Sequence, residues 1–160
     1  MSTSTTTTVE ALCRTVFTDA MNAFPDIEKV ILSDTGSGHL LFVMENANNA
    51  AVIAHRNESA ISSQDGAIIN DSCNEFAHMA TTTSQQLSKL SLGACQSITA
   101  IYDSYAVMQI VDTNLVLTIV VSRVGDGSPL GSLRGYLQAL VVMKTYKDIK
   151  TAVKKVIENY

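Results

Sequence analysis

The sequence predicts an α+β fold: a five-stranded antiparallel sheet carrying helices, in the order helix, two strands, helix, three strands, helix. Three observations predict it. Two short apolar runs, residues 27–33 and 39–44, flank the Gly-rich turn Asp34-Thr35-Gly36-Ser37-Gly38, as in a β-hairpin. Three further β-rich runs, residues 96–102, 105–111 and 114–122, are separated only by Asp103-Ser104 and Asp112-Thr113, as in a meander. Apolar residues recur at helical spacing before, between and after these two groups.

The first helix is expected over residues 9–24. Leu12, Val16, Ala20 and Ala23 form a stripe with Phe17 beside it, and Pro25 follows as a stop. The Ser/Thr run of residues 1–8 reads as a disordered tail. Residues 45–70 are rich in Asn, Ala and Ser and too long for an ordinary connection, so they read as an insertion. Asp71 or Ser72 can cap the middle helix, which Cys73, Phe76, Ala77, Ala80, Ser84 and Leu87 carry to about Ser88. Residues 114–122 are nearly all apolar and should form the most buried strand. After a Gly/Pro/Ser loop from Val124, one stripe contains Leu133, Leu137 and Leu140. A second, on the opposite side, contains Tyr146, Ile149, Val153, Val156 and Ile157. That reversal predicts a long helix that changes neighbours midway, or two helices with a break near Thr145. The organisation is then a tail over 1–8, a domain over 9–144 and a basic amphipathic extension over 145–160.

Composition narrows the function. The 160 residues are 46% apolar and only 16% charged, with a net charge of −4 and a mean hydropathy of +0.18. That excludes a disordered chain and gives no basic footprint for nucleic acid. No apolar run approaches the roughly 20 residues of a membrane span. The first residues lack the basic and apolar regions of a secretory leader, and no lipidation motif is present, so membrane contact is expected only through a partner. Cys13, Cys73 and Cys95 are widely spaced and read as reduced thiols, with no zinc or disulfide pattern. The charge is uneven: residues 1–122 carry a net −8 and residues 123–160 a net +4. Lys147, Lys150, Lys154 and Lys155 form either a solvated face or a surface for an acidic partner or lipid head groups.

Catalysis finds little support. His39, His55 and His78 are the only imidazoles, and no GxSxG, P-loop, HExxH or GxGxxG occurs. Asp34-Thr35-Gly36 matches an aspartic-protease triplet but reads as turn chemistry, because that site needs a second carboxylate from a symmetric lobe. No catalytic residue, metal or cofactor is expected. A binding module explains more. Residues 77–88 and 94–102 contain no Asp, Glu, Lys or Arg, so a charge-poor helix lies next in sequence to an unblunted strand.

The order of elements resembles the roadblock family. The details are similar to its Ragulator subunit that partners a MAP-kinase kinase. Lys89-Leu90-Ser91-Leu92, Ser97-Ile98, Tyr102, Ser104-Tyr105, Val107, Gln109 and Leu115-Val116 carry the likeness. Phe24-Pro25, Ile27-Glu28, Ser33-Asp34, Ser132-Leu133 and Leu137 extend it. The chain departs from that pattern by a longer 45–70 segment, extra residues around Thr81–Gln85, and the piece from Tyr146 to Tyr160. The resemblance implies a heterodimer with a second roadblock-type subunit. The third strands would join into one sheet, here through Ser97, Ile98, Thr99, Ala100 and Ile101. The middle helices would pack side by side, here through Phe76, Met79, Ala80 and Thr83. It further implies a non-catalytic scaffold with other Ragulator subunits, holding Rag GTPases at the cytosolic face of late endosomes or lysosomes for TOR signalling. MAP-kinase kinase and MAP kinase would be further partners. The alternatives are a dynein roadblock light chain or a GTPase-regulating roadblock protein, with a small enzyme as the outsider.

Overall fold

A computed structural model describes residues 2–49, 52–54, 65–122 and 130–159. The Val124 loop and residues 50–51 and 55–64 of the expected insertion, His55 among them, lie outside the described residues. The chain forms two compact units. One joins the sheet and the middle helix over residues 25–123; the other joins residues 1–24 with 124–160.

The sheet unit contains β1 (Ile27–Asp34), β2 (Leu40–Glu45), α2 (Asp65–Ser88), β3 (Ser97–Ile101), β4 (Tyr105–Val111) and β5 (Leu115–Ser122). All neighbours are antiparallel, in the order β2-β1-β5-β4-β3. The expected five-stranded α+β arrangement is the one observed, with strand limits within one residue of those predicted. All eight residues of β5 are buried, as their nearly continuous apolar character requires of a central strand. Thr118 on β5 faces Gln109 on β4 and Ile31 on β1, and Gln109 in turn faces Ile98 on β3. These side chains share one sheet face, and α2 covers it: Gln109 Nε2 donates to the Phe76 carbonyl at 2.7 Å.

The β1–β2 turn is built by Asp34. Its carboxylate accepts from Gly36 N–H (3.1 Å), Ser37 N–H (3.3 Å) and Ser37 Oγ (2.6 Å). Partial burial works to raise the Asp34 pKa, but those hydrogen bonds, with His39 nearby, outweigh it and hold the carboxyl below its ordinary 3.8. Its stabilising contribution is therefore complete above that ordinary value and lost as pH falls through the lowered one. Asp34→Asn is expected to flatten this acid limb in a series of Tm measurements between neutral pH and pH about 2. Gly38 has φ +71°, so the turn geometry favours glycine, and a Cβ there would also meet His78 Nδ1 at 3.2 Å and push that imidazole aside.

Two differences from the sequence reading concern helix starts. The first helix, α1, runs Ser2–Ala23, so the expected tail is helical from Ser2. The middle helix starts at Asp65, six residues before the expected cap. Periodicity misses the first extension because residues 2–8 are all Ser and Thr. It misses the second because Gly66 and the run Asn70-Asp71-Ser72 read as a helix boundary despite Ala67, Ile68 and Ile69. An established helix adds turns without a new nucleus. The start of the predicted insertion is anchored by side chains. Asn46 Nδ2 donates to the carbonyls of Ile27 (2.9 Å) and Pro25 (3.3 Å). Asn49 Nδ2 donates to Pro25 O (3.1 Å) and Ser122 Oγ (3.2 Å), and Ser122 Oγ donates to Glu28 Oε1 at 2.6 Å.

The second unit contains α1, α3 (Leu130–Leu140) and α4 (Lys144–Glu158). The two opposed stripes resolve as two helices, with the break at Val141–Met143. Leu133, Leu137 and Leu140 on α3 and Tyr146, Ile149 and Val153 on α4 are buried as expected. α1 lies against α4 and buries Cys13, Phe17 and Ala20. Phe24 and Tyr136 meet edge to face at 5.2 Å.

Burial pushes the Cys13 thiol up to about 12, and the Glu10 carboxylate adds to the effect. Burial likewise raises Cys73, opposed by Lys29 and reinforced by Glu45. Cys95 is half-exposed. Alkylation of the native chain at pH about 8 is therefore expected to modify Cys95 alone, and denaturation to release all three thiols. Mass spectrometry of the two products checks this.

Candidate functional site

Among the described residues, the two strands of the sheet that lack a neighbour on one side are β2 and β3. β3 is the one surrounded by exposed apolar side chains. Its exposure alternates, with Ser97, Thr99 and Ile101 outward and Ile98 and Ala100 half-buried. The backbone alternates with it. Tyr102 N–H donates to Tyr105 O, and Gln96 O accepts from Val111 N–H, so the even-numbered residues bond β4. The N–H and C=O groups of Ser97, Thr99 and Ile101 consequently point to the free edge. That is the hydrogen-bonding row a strand from another chain would need.

Exposed large apolar side chains cluster in sequence around this strand. Ile101 is 59% exposed, Leu90 59%, Leu92 80% and Tyr102 41%. A lone exposed leucine is ordinary, but four such residues within a stretch of 13 positions beside one unblunted edge make it the candidate interaction surface. Natural sheets usually protect such an edge with Lys, Pro or a bulge. β3 carries none of these, and its pairing with β4 is regular throughout.

An aromatic chain ties α2 to this edge. Phe76 meets Tyr105 edge to face at 6.4 Å, Tyr105 stacks on Tyr102 at 4.7 Å, and Tyr102 Oη lies 4.0 Å from the Met79 sulfur. Phe76 and Met79 are thus brought to the β3–β4 hairpin, and both keep partial exposure. Thr83 lies on the same flank of α2 and is half-exposed. Ala80 is different. It is fully buried inside the chain, with Ala77 and Cys73, so it leaves the set of residues that can touch a partner. The family resemblance placed Ala80 at the interface, whereas its burial fits a helix face that covers the chain's own sheet. Tyr102, Tyr105, Leu90 and Leu92 were quoted above only for the resemblance. Their exposure and stacking make them part of this surface, which apolar periodicity does not reveal.

The layer between α2 and the sheet is polar for a core. Gln109 and Thr118 are buried, Gln109 Nε2 also donates to Thr118 Oγ1 at 3.0 Å, and Gln109 Oε1 has no partner. Gln109→Leu alone is expected to destabilise by about 1–3 kcal/mol, because the Thr118 hydroxyl loses its donor inside the core. Adding Thr118→Val should recover part of that loss, since the unpaired hydroxyl is then gone while the Phe76 carbonyl still lacks the Gln109 donor. Urea denaturation of the three chains measures the difference.

The lysines of the sequence-predicted acidic-partner surface lie on α4, in the other unit. Lys147, Lys154 and Lys155 are exposed and Lys150 half-exposed. Among the described residues, no group of three His, Cys, Asp or Glu could hold a metal ion, and no helix is long and apolar enough to cross a membrane.

A family model described as mitogen-activated protein kinase kinase 1 interacting matches residues 60–140. No curated protein matches the sequence. Among solved structures the chain is similar to MglB of Myxococcus xanthus, at 13% identity and TM-score 0.53, over 96% of this chain and 90% of that one. It is likewise similar to the gliding protein MglB of Thermus thermophilus, at 12% identity and TM-score 0.54, over 95% and 93%. A Roadblock/LC7 domain from Streptomyces avermitilis aligns at 15% identity and TM-score 0.45, over 73% and 83%. The MglB likenesses speak for the fold alone, and the α+β arrangement expected from the sequence, with its five-stranded antiparallel sheet, is the one found.

Proposed function

The chain belongs to the family of mitogen-activated protein kinase kinase 1 interacting proteins, and from that premise we propose that it is a non-catalytic scaffold subunit of a Ragulator-like complex. Its counterpart there is the subunit called late endosomal/lysosomal adaptor and MAPK and MTOR activator 3. The chain pairs with a second roadblock-type subunit through the free edge of β3 and the exposed flank of α2. The pair helps to hold Rag GTPases and MAP-kinase components at the cytosolic face of late endosomes or lysosomes. The observation that carries this reading is the unprotected edge of β3, set among Leu90, Leu92, Ile101 and Tyr102. A scaffold works by position: tethering two components raises their effective concentration, with no bond made or broken by the scaffold itself.

Purification of the tagged full-length chain from its own cells, followed by mass spectrometry, tests the reading. Recovery of a second small roadblock-type protein together with Rag GTPases is the expected result. Recovery of dynein intermediate chain in their place would assign the chain to the dynein light chains and overturn it.

A further inference from the structure

Helix α4 carries a second exposed surface that pairing through β3 does not use. Its apolar stripe of Tyr146, Ile149 and Val153 is buried, and α4 lies against α1. At the head of the helix, Val142 is 67% exposed and Met143 52%. Lys147 N–H donates to the Met143 carbonyl at 3.2 Å, which places Met143 one turn above Lys147. At 100° per residue, Met143, Lys147, Lys150 and Lys154 fall within about 60° of arc. They form a straight row about 16 Å long, with an apolar tip at one end and lysines along the rest. Lys144 lies 3.6 Å from Asp148 and Lys154 3.7 Å from Glu158. Both are exposed pairs four residues apart, which hold their lysines only weakly.

We propose that this row docks on an anionic lipid surface, with Val142 and Met143 entering the head-group layer and Lys147, Lys150 and Lys154 meeting lipid phosphates and carboxylates. The chemistry of the row favours lipid over a shaped acidic protein. Centres of protein interfaces favour Arg, Tyr and Trp and are depleted in Lys, whereas every cation of α4 is a lysine. Long flexible stems suit a fluid, laterally mobile array of charge. The segment from residue 123 onward carries a net +4 against −8 for the remainder, so the attraction to an anionic membrane is concentrated in the segment that holds α4. Such contact is weak alone and adds to any anchor held by a partner subunit.

Flotation of the full-length chain with vesicles tests the proposal. Phosphatidylcholine vesicles with about one third phosphatidylserine should carry the chain, and pure phosphatidylcholine vesicles should not. Raising the salt should release it. Lys147→Gln with Lys154→Gln should lower the vesicle partition about 25-fold, roughly fivefold for each lysine, while the corresponding Lys→Arg pair retains it. Met143→Ser should weaken it further without altering the salt dependence. Circular dichroism confirms that each variant keeps its helices, and the salt series on the unaltered chain stands independently of them. Failure of the unaltered chain to float with anionic vesicles would overturn the proposal. So would flotation indifferent to the glutamine pair. Salt-sensitive binding to polyglutamate with no vesicle binding would assign the row to an acidic protein and likewise overturn it.

Discussion

Ile101→Lys is expected to abolish pairing with the partner subunit while leaving the chain folded. Ile101 ends the edge strand, is 59% exposed, and its own N–H and C=O point to the free edge. In the unpaired chain a lysine there reaches water at no cost. Inside a paired interface it would be desolvated with no carboxylate in its own strand to meet it, a penalty of about 3–5 kcal/mol. That is a loss of at least 100-fold in affinity, as about 1.4 kcal/mol is tenfold. Met79→Lys should act in the same direction and less strongly, because Met79 is half-buried against Tyr102 and a lysine stem can follow the surface to water. Analytical ultracentrifugation of each variant with the partner measures the affinity, and a thermal melt of the chain alone shows that the fold persists.

The second large effect belongs to the sheet centre. Ile119 on β5 is fully buried, between β1 and β4. Ile119→Ala is expected to cost about 2–5 kcal/mol, the loss of transfer energy together with the cavity left behind. That is a large share of the about 5–15 kcal/mol available to a domain. The same truncation at Ile101 should stay within about 0.5 kcal/mol in the unpaired chain. Guanidinium denaturation of Ile119→Ala and Ile101→Ala side by side separates apolar surface used for folding from apolar surface left for a partner. Equal destabilisation by the two would mean that β3 is part of the core.

The contrast between these two isoleucines explains how far the sequence could be read. Strands were legible because turn residues bracket them and because β5, buried along its whole length, is apolar at all but Thr118 and Ser122. The α3–α4 break was legible because Leu133, Leu137 and Leu140 form a different stripe from Tyr146, Ile149 and Val153. The beginnings of α1 and α2 were not: residues 2–8 are all Ser and Thr and leave no apolar signature, and at the start of α2 the boundary residues Gly66, Asn70 and Asp71 outweigh the short run Ala67-Ile68-Ile69. At the candidate site, the missing charge between Ala94 and Tyr102 pointed to β3 correctly as an exposed edge. The α2 contribution was less legible. The resemblance grouped Phe76, Met79, Ala80 and Thr83, although Ala80 also suits the helix face that covers the sheet, and the packing separates buried Ala80 from Met79 beside Tyr102. Leu90 and Leu92 lie outside any periodic element, so nothing local distinguishes an exposed loop leucine from a buried one.

The central claim is that the low charge of this chain reflects surface kept for another subunit at β3. Hydrogen–deuterium exchange of the Ser97, Thr99 and Ile101 amides, in the free chain and in the purified complex, tests it most directly. The account predicts fast exchange in the free chain and slowing of at least about tenfold in the complex, with the β2 edge at Leu40–Glu45 unchanged. Unchanged exchange along β3, with new protection on β2 instead, would contradict it.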